Sequence, residues 1–228
     1  MFNTVYLKKK GFEDLLKVEM MTVGPIQENT YVVINEATNE ALIVDPGEES
    51  ERLVQWIKGN NWQPVAVLLT HCHSDHIGAL DAVRAAFNIE AYVHEIERDF
   101  IMDPNLNLSA LQPFPNLSQR PAEHHWTEMG KKTIGPFEFE VRHVPGHSPG
   151  HVVYIFRDDA FVVVGDAVFN GSIGRTDLPG GNLSTLMQGI AQHIVTLPGH
   201  FLLYPGHGEK TTIQNEILYN PYFEAFRQ

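Results

Sequence analysis

The segment His71-Cys72-His73-Ser74-Asp75-His76 follows Thr70 at the end of the apolar run Val65-Ala66-Val67-Leu68-Leu69. A continuous apolar run of this length reads as a strand covered on both faces. In extended backbone alternate residues share a side, so His71 and His73 can face one ion together. Asp75 and His76 lie past the turn, at the start of the next helix, and are re-aimed towards a second position. With 12 histidines in 228 residues, an H-x-H-x-D-H pattern arises by chance in roughly one such chain per thousand.

Three more candidate ligands stand at strand ends downstream: His147 in Pro-Gly-His, Asp166 in Gly-Asp and His207 in Pro-Gly-His-Gly. Imidazole and carboxylate donors without thiolate suit zinc, ferrous iron or manganese. Seven ligands exceed the four of one tetrahedral site. They suffice for two ions that share a carboxylate and a water.

Around these residues short apolar runs alternate with amphipathic stretches. Tyr31-Val32-Val33-Ile34 and Ala41-Leu42-Ile43-Val44 flank a turn at Thr38-Asn39 and read as a hairpin. Helical spacing covers 49–58, 77–87, 184–197 with Ser184 as its cap, and 212–219 up to Pro221. Strands are expected over 137–144, 152–156, 161–164 and 201–204. The halves match: 41–45 and 161–166 are each an apolar strand ending at an aspartate, and 65–71 and 201–207 each end at a histidine. Two such halves suggest an α+β sandwich of two sheets with helices outside. The stretch 102–130 contains Pro104, Pro113, Pro115 and Pro121 and no sustained periodicity. It is expected as a long loop, of the kind that often covers a site.

Hydrophobic residues at 43% and charged residues at 19% fit one globular domain, taken as 1–228 with 1–17 as an N-terminal extension. A net charge of -12 repels phosphate backbones and anionic headgroups, which argues against nucleic acid and membrane as partners. Cys72 is the single cysteine, so no internal disulfide forms and nothing marks an oxidising compartment. The run Lys8-Lys9-Lys10 precedes no apolar segment, so no signal peptide or spanning helix is read and a cytoplasmic location is expected.

These motifs resemble the metallo-β-lactamase superfamily, whose fold is an αββα sandwich of two mixed β-sheets flanked by helices. Within it the chain resembles the glyoxalase II-like hydrolases, in their short single-domain branch. The likeness runs from about Val18 to Pro221. It includes Gly24-Pro-Ile-Gln-Glu-Asn-Thr-Tyr31, Asp45-Pro-Gly47, Gly165-Asp-Ala-Val-Phe169 and Gly174-Arg-Thr-Asp-Leu-Pro-Gly-Gly181. The resemblance implies one ion held by His71, His73 and His147, another by Asp75, His76 and His207, and Asp166 as the bridge. It implies that Asp45 orders the metal loop, that Asp75 also acts in catalysis, and that Asn170 and Arg175 meet substrate. Two divalent ions, zinc first and iron or manganese otherwise, lower the pKa of a shared water towards ~7. The resemblance implies that the hydroxide so formed would attack the carbonyl of a small-molecule thioester such as S-lactoylglutathione.

The likeness has departures. Two-domain glyoxalase II enzymes continue into a basic helical domain that grips glutathione, whereas only 21 residues follow His207 here, with Lys210 and Arg227 their only basic members. Asp177 falls where those enzymes carry an aromatic residue, and a carboxylate there disfavours an anionic tripeptide. The rival within the superfamily is a mononuclear iron persulfide dioxygenase, whose Gly-Arg-Thr-Asp segment continues differently from Leu178-Pro179-Gly180-Gly181. Lactonase and β-lactamase-like hydrolysis run on the same hydroxide. The expectation for Cys72 is that it points away from the ions, and for His151 that it plays a supporting part.

Overall fold

The computed structural model describes residues 16–111 and 115–227. The lysine run and Pro113 lie outside them. The first three strands, β1 (Leu16–Val23), β2 (Glu28–Asn35) and β3 (Glu40–Val44), form an antiparallel meander, and Asn39 turns its second hairpin at φ 59°. Helix α1 (Ser50–Gly59) returns the chain to β4 (Gln63–Leu68), parallel to β3. Helices α2 (Ser74–Ile77) and α3 (Leu80–Phe87) lead to β5 (Glu90–His94), and β6 (His124–Trp126) closes the edge, both parallel to their neighbours.

The second sheet begins with β7 (Gly130–Ile134), β8 (Phe137–His143), β9 (Val152–Phe156) and β10 (Phe161–Gly165), each antiparallel to the one before. A short ribbon, β11 (Val168–Phe169) with β12 (Ser172–Ile173), precedes α4 (Leu183–His193). Strand β13 (Leu202–Pro205) then runs parallel to β10, followed by β14 (Thr211–Thr212) and α5 (Ile213–Tyr219). The strand orders are β1-β2-β3-β4-β5-β6 and β14-β13-β10-β9-β8-β7, two mixed sheets with helices on their outer faces. The α+β sandwich expected from the repeated order of elements is the fold observed.

Period-two alternation explains the layering. Tyr31, Val33, Leu42, Val44, Ala66 and Leu68 of the first sheet meet Val152, Tyr154, Phe156, Phe161 and Val163 of the second in the central core. Their alternates Val32, Ile34, Ala41, Ile43 and Val67 face Leu53, Ile57, Leu80 and Val83 of the helices. On the other side Val153, Ile155, Val162 and Val164 pack against Leu186 and Ile190 of α4. Strands buried on both faces are therefore continuous apolar runs, which is why they were readable.

Parallel pairing decides where the site forms. Because β3 and β4 are parallel, Asp45 and His71 emerge at one edge of their sheet. Parallel β10 and β13 likewise bring Asp166 and the His207 loop to one edge of theirs. Among the described residues no helix is long and apolar enough to cross a membrane.

Local expectations differ from the structure in four places, one being that α4 ends at His193 and not at 197. The helix expected over 77–87 is broken: Ala79 donates its N–H to the carbonyl of Pro46 (3.0 Å) instead of continuing α2, and Gly78 lies against the Gly47 carbonyl with no room for a Cβ. The cap of α4 is Asn182, whose side chain accepts from the Thr185 N–H, not Ser184. The stretch 102–130 holds a 3-10 turn at Ser109–Leu111 and the edge strand β6.

Tyr154 links the two sheets: its hydroxyl donates to the Leu69 carbonyl (2.7 Å) and accepts from the Trp126 indole N–H (3.2 Å). Replacing Tyr154 by Phe strands both partners in the core and should cost about 1–3 kcal/mol. Urea unfolding, read as a lower midpoint at unchanged slope, checks this.

Candidate metal centre

The extended backbone leaving β4 persists through His73 (φ -64°, ψ 148°), and α2 begins at Ser74. His71 and His73 are thus presented from extended chain, while Asp75 and His76 turn in on the first turn of a helix. His147 lies in the loop between β8 and β9, Asp166 directly after β10, and His207 after β13.

The structure brings all seven together. His71 Nε2 and His73 Nδ1 are 3.1 Å apart, and with His147 they form a cluster whose ligand atoms lie within 4.8 Å of one another. Asp75, His76 and His207 form a second cluster on the same criterion. In it Asp75 Oδ2 lies 3.2 Å from His207 Nε2 and 3.5 Å from His76 Nε2. Asp166 stands between the two: Oδ1 is 3.4 Å from His76 Nε2, and Oδ2 is 3.4 Å from His147 Nε2 and 3.6 Å from His207 Nε2. Gly206 backs this point, where a Cβ would strike both Asp166 and His76.

Hydrogen bonds behind the rings choose which nitrogen faces inward. Thr70 donates its hydroxyl to Asp45 Oδ2 (2.6 Å), so its oxygen accepts from His71 Nδ1–H (3.1 Å) and Nε2 is left free. His76 Nδ1–H donates to Asp45 Oδ2 (3.0 Å), His147 Nδ1–H to the Arg175 carbonyl (2.9 Å), and His207 Nδ1–H to the carbonyls of Ile26 and Gln27. Such outer bonds fix tautomer and ring orientation. Asp45 also accepts the Thr70 N–H (2.7 Å), so its carboxylate is fully engaged in holding His71 and His76.

The inward atoms, by contrast, lack partners. Six buried side-chain N and O atoms among the described residues have no hydrogen bond, and three are His76 Nε2, His147 Nε2 and Asp166 Oδ1. Leaving a buried polar group unmet costs about 1–3 kcal/mol each. Divalent cations would satisfy all three, and the nitrogen and oxygen donor set suits zinc, iron or manganese.

Charge is unequal between the clusters. Burial and the neighbouring imidazoles hold His71 well below the usual histidine range, and burial and His147 take His73 down to about 3. For His76 and His207 burial works the same way but is outweighed by Asp75 and Asp166, which raise both. Burial opposes ionisation of Asp75 and Asp166, yet the charge of His76 keeps both below the usual carboxylate range.

A cleft of about 360 Å³ opens over the clusters. Its walls are Ile26, Leu108, Phe169, Ile173 and Leu178, with Arg175 at the side. The Arg175 guanidinium makes two 2.7 Å bonds to Asp177, whose carboxyl it holds at about 2. Asn170 sits exposed in the turn between β11 and β12, outside the residues that line the cleft. Cys72 is buried in the core between sheet and helices. His151 Nε2 accepts the Asp166 N–H (3.1 Å).

The sequence marked the 24–31 run only by resemblance and assigned no role to its members, nor to Asn107 and Leu108. Asn29 donates to the carbonyls of Pro205 and Gly208, and the Tyr31 hydroxyl donates to Pro205 (2.6 Å), so the 24–31 run pins the His207 loop. Leu108, at φ 65°, is held in the left-handed region, a conformation that costs about 1–2 kcal/mol for a residue with a Cβ. Buried Asn107 anchors it, its carbonyl accepting the Ser74 N–H (2.9 Å) and its amide donating to the Leu117 carbonyl (3.0 Å). No spacing or composition signal says what these residues contact.

The sequence profile of the metallo-beta-lactamase superfamily matches residues 23–207. The chain belongs to this superfamily. Among relatives of this superfamily, the probable metallo-hydrolase YqgX of Bacillus subtilis (strain 168) is 43% identical over 211 residues, covering 92% of this chain and 99% of that one. Hydroxyacylglutathione hydrolase GloC of Haemophilus influenzae is 31% identical with the same coverage. Among solved structures, the BLEG-1 B3 metallo-beta-lactamase superposes with a TM-score of 0.88 at 45% identity, over 91% of this chain and 99% of that one. TTHA1623 in a di-iron-bound form does so with 0.76 at 36% identity, over 90% and 99%.

Acid should empty the two clusters in order. The raised histidines, His76 and His207, take protons at higher pH than the depressed pair His71 and His73, so protons displace an ion from the second cluster first. A His207→Ala protein, left with the first cluster, should keep zinc to lower pH than a His73→Ala protein. Metal analysis after dialysis at stepped pH checks the order.

Proposed function

We propose that the protein is a metal-dependent hydrolase with a binuclear site that cleaves a small-molecule thioester such as S-lactoylglutathione. The observation that carries this reading is the pair of three-residue clusters meeting at Asp166 under one cleft. In it His71, His73 and His147 would hold one ion and Asp75, His76 and His207 the other, with Asp166 lying between the two sets. Zinc is the proposed metal; iron or manganese fits the same donors. When bound, the ions supply a water deprotonated near neutral pH and a Lewis acid for the carbonyl oxygen.

The chain's own residues do the rest. Asp75, kept ionised beside His76 and His207, accepts a hydrogen bond from the attacking water and orients it. The apolar walls at Ile26, Leu108, Phe169, Ile173 and Leu178 receive the acyl part and exclude bulk water. A departing thiolate needs little acid assistance, and the cleft offers no obvious proton donor among its lining residues other than the clusters themselves. The GloC relative supports the thioester; the paired Arg175–Asp177 argues that the thiol carrier is weakly held if it is anionic. A second reading, β-lactam hydrolysis, is supported by the likeness to BLEG-1 and uses the same cleft.

Turnover of S-lactoylglutathione by protein of measured metal content tests the proposal. Hydrolysis with close to two ions per chain supports it. Full loading without hydrolysis, alongside β-lactam cleavage or oxygen uptake with a persulfide, overturns it. Asp166→Ala should lose metal and activity together, read by metal analysis and kcat/KM; two retained ions with full turnover would break the binuclear reading. Asp177→Asn should free Arg175 and lower KM for the anionic thioester about two- to fivefold, the scale of an exposed ion pair, with kcat unchanged.

A further inference from the structure

Glu97 belongs to no motif of the sequence and to neither cluster, yet it is 1% exposed and ends the 3-10 turn Glu95–Glu97 after β5. Its Oε2 accepts the backbone N–H of Cys72 (2.6 Å). Its Oε1 accepts the Gly150 N–H (2.9 Å) and the Ser148 hydroxyl. Cys72 is the residue between His71 and His73, and Ser148 is the residue after His147. One carboxylate therefore ties together the two loops that present all three residues of the first cluster, reaching from one sheet to the other. The fit is close, because a Cβ on Gly150 would meet Glu97 Cγ at 2.7 Å. In the second cluster His76 and His207 are backed by groups other than Glu97: Asp45, which also steadies His71 through Thr70, and the carbonyls of Ile26 and Gln27.

We infer that Glu97 is a positioning residue that sets the ion affinity of the His71–His73–His147 cluster and leaves that of the Asp75–His76–His207 cluster nearly unchanged. The inference rests on the binuclear reading above. A carboxylate is needed because both of its oxygens accept. An amide of the same shape offers one acceptor and one donor, so in either orientation an NH₂ faces the Cys72 N–H or the Ser148 and Gly150 donors. One loop is then released while the volume of the side chain is kept.

The test is titration of the metal-stripped full chain with zinc against a chromophoric chelator. Wild type binds two ions. Glu97→Gln should bind one ion as before and the other about 10–100-fold more weakly, the range seen when a group orienting metal ligands is lost. In a His207→Ala background Glu97→Gln should weaken the remaining ion by the same factor; in a His73→Ala background it should leave it unchanged. Glu140→Gln is the control for loss of a withdrawn carboxylate, since its partners are Arg142 and Arg157, and should leave both affinities intact. If Glu97→Gln fails to fold, Glu97→Asp keeps the charge but is one methylene too short to reach both loops, and should weaken the same single ion. Two unchanged affinities in a folded variant, or equal weakening of both, overturns the inference and leaves the binuclear reading standing. Fewer than two ions on the wild type overturns both.

Discussion

The side chains of seven residues aim their nitrogens and oxygens at one another inside the rim of the sandwich, an arrangement that apolar packing alone would never hold. The inward nitrogens and oxygens approach one another to between 3.1 and 3.6 Å. Everything around them serves to keep them aimed. Asp45 spends its carboxylate on Thr70 and His76, backbone carbonyls turn His147 and His207, and glycines at 165 and 206 let the chain pass where a Cβ would collide. At Gly165 the backbone is also left-handed, φ 48°, and lies against Thr70 and His151. Backbone strain gathers here as well, with Gln27, Asp45 and Leu108 all at positive φ. Strain of that kind persists only where surrounding contacts over-determine it.

What could be read in the sequence was what is encoded locally. The strands β2, β3, β4, β9 and β10 are unbroken apolar runs because both faces are covered, and the H-x-H-x-D-H run announces ligands by type and spacing alone. The repeated order of strand, ligand and helix sufficed for the sandwich. Strand β6 was hidden because His124-His125-Trp126 is too short to show a period, and it exists only by pairing with β5. The break between α2 and α3 was hidden for a related reason: it is imposed by Pro46 and Gly47, some thirty residues away. Asn29 reaches Pro205 and Glu97 reaches Gly150 over still longer separations, and their neighbours in sequence do not say what they meet in space.

The cleft limits the chemistry in a different way from the clusters. Ions at the floor would be generic tools that serve thioesters, lactones and lactams alike, so discrimination falls to the walls. Those walls are aliphatic and aromatic, and the single arginine among them is already satisfied by Asp177. A site of this kind rewards burial of apolar substrate surface, about 25 cal/mol per Å², more than it rewards charge. That bias is consistent with a protein whose own net charge of -12 would slow the approach of anions.

Neither sheet owns a cluster. His71 and His73 come from the first sheet and His147 from the second; Asp75 and His76 come from the first and His207 from the second. The seam between the two halves of the chain is therefore also the reactive rim. Cations seated there would bind only the closed sandwich and add their binding free energy to its closure by mass action. The repeated halves visible in the sequence could each form a sheet with a helix, but neither alone would own a place for an ion. Closing the fold and acquiring the chemistry are, for this chain, one event.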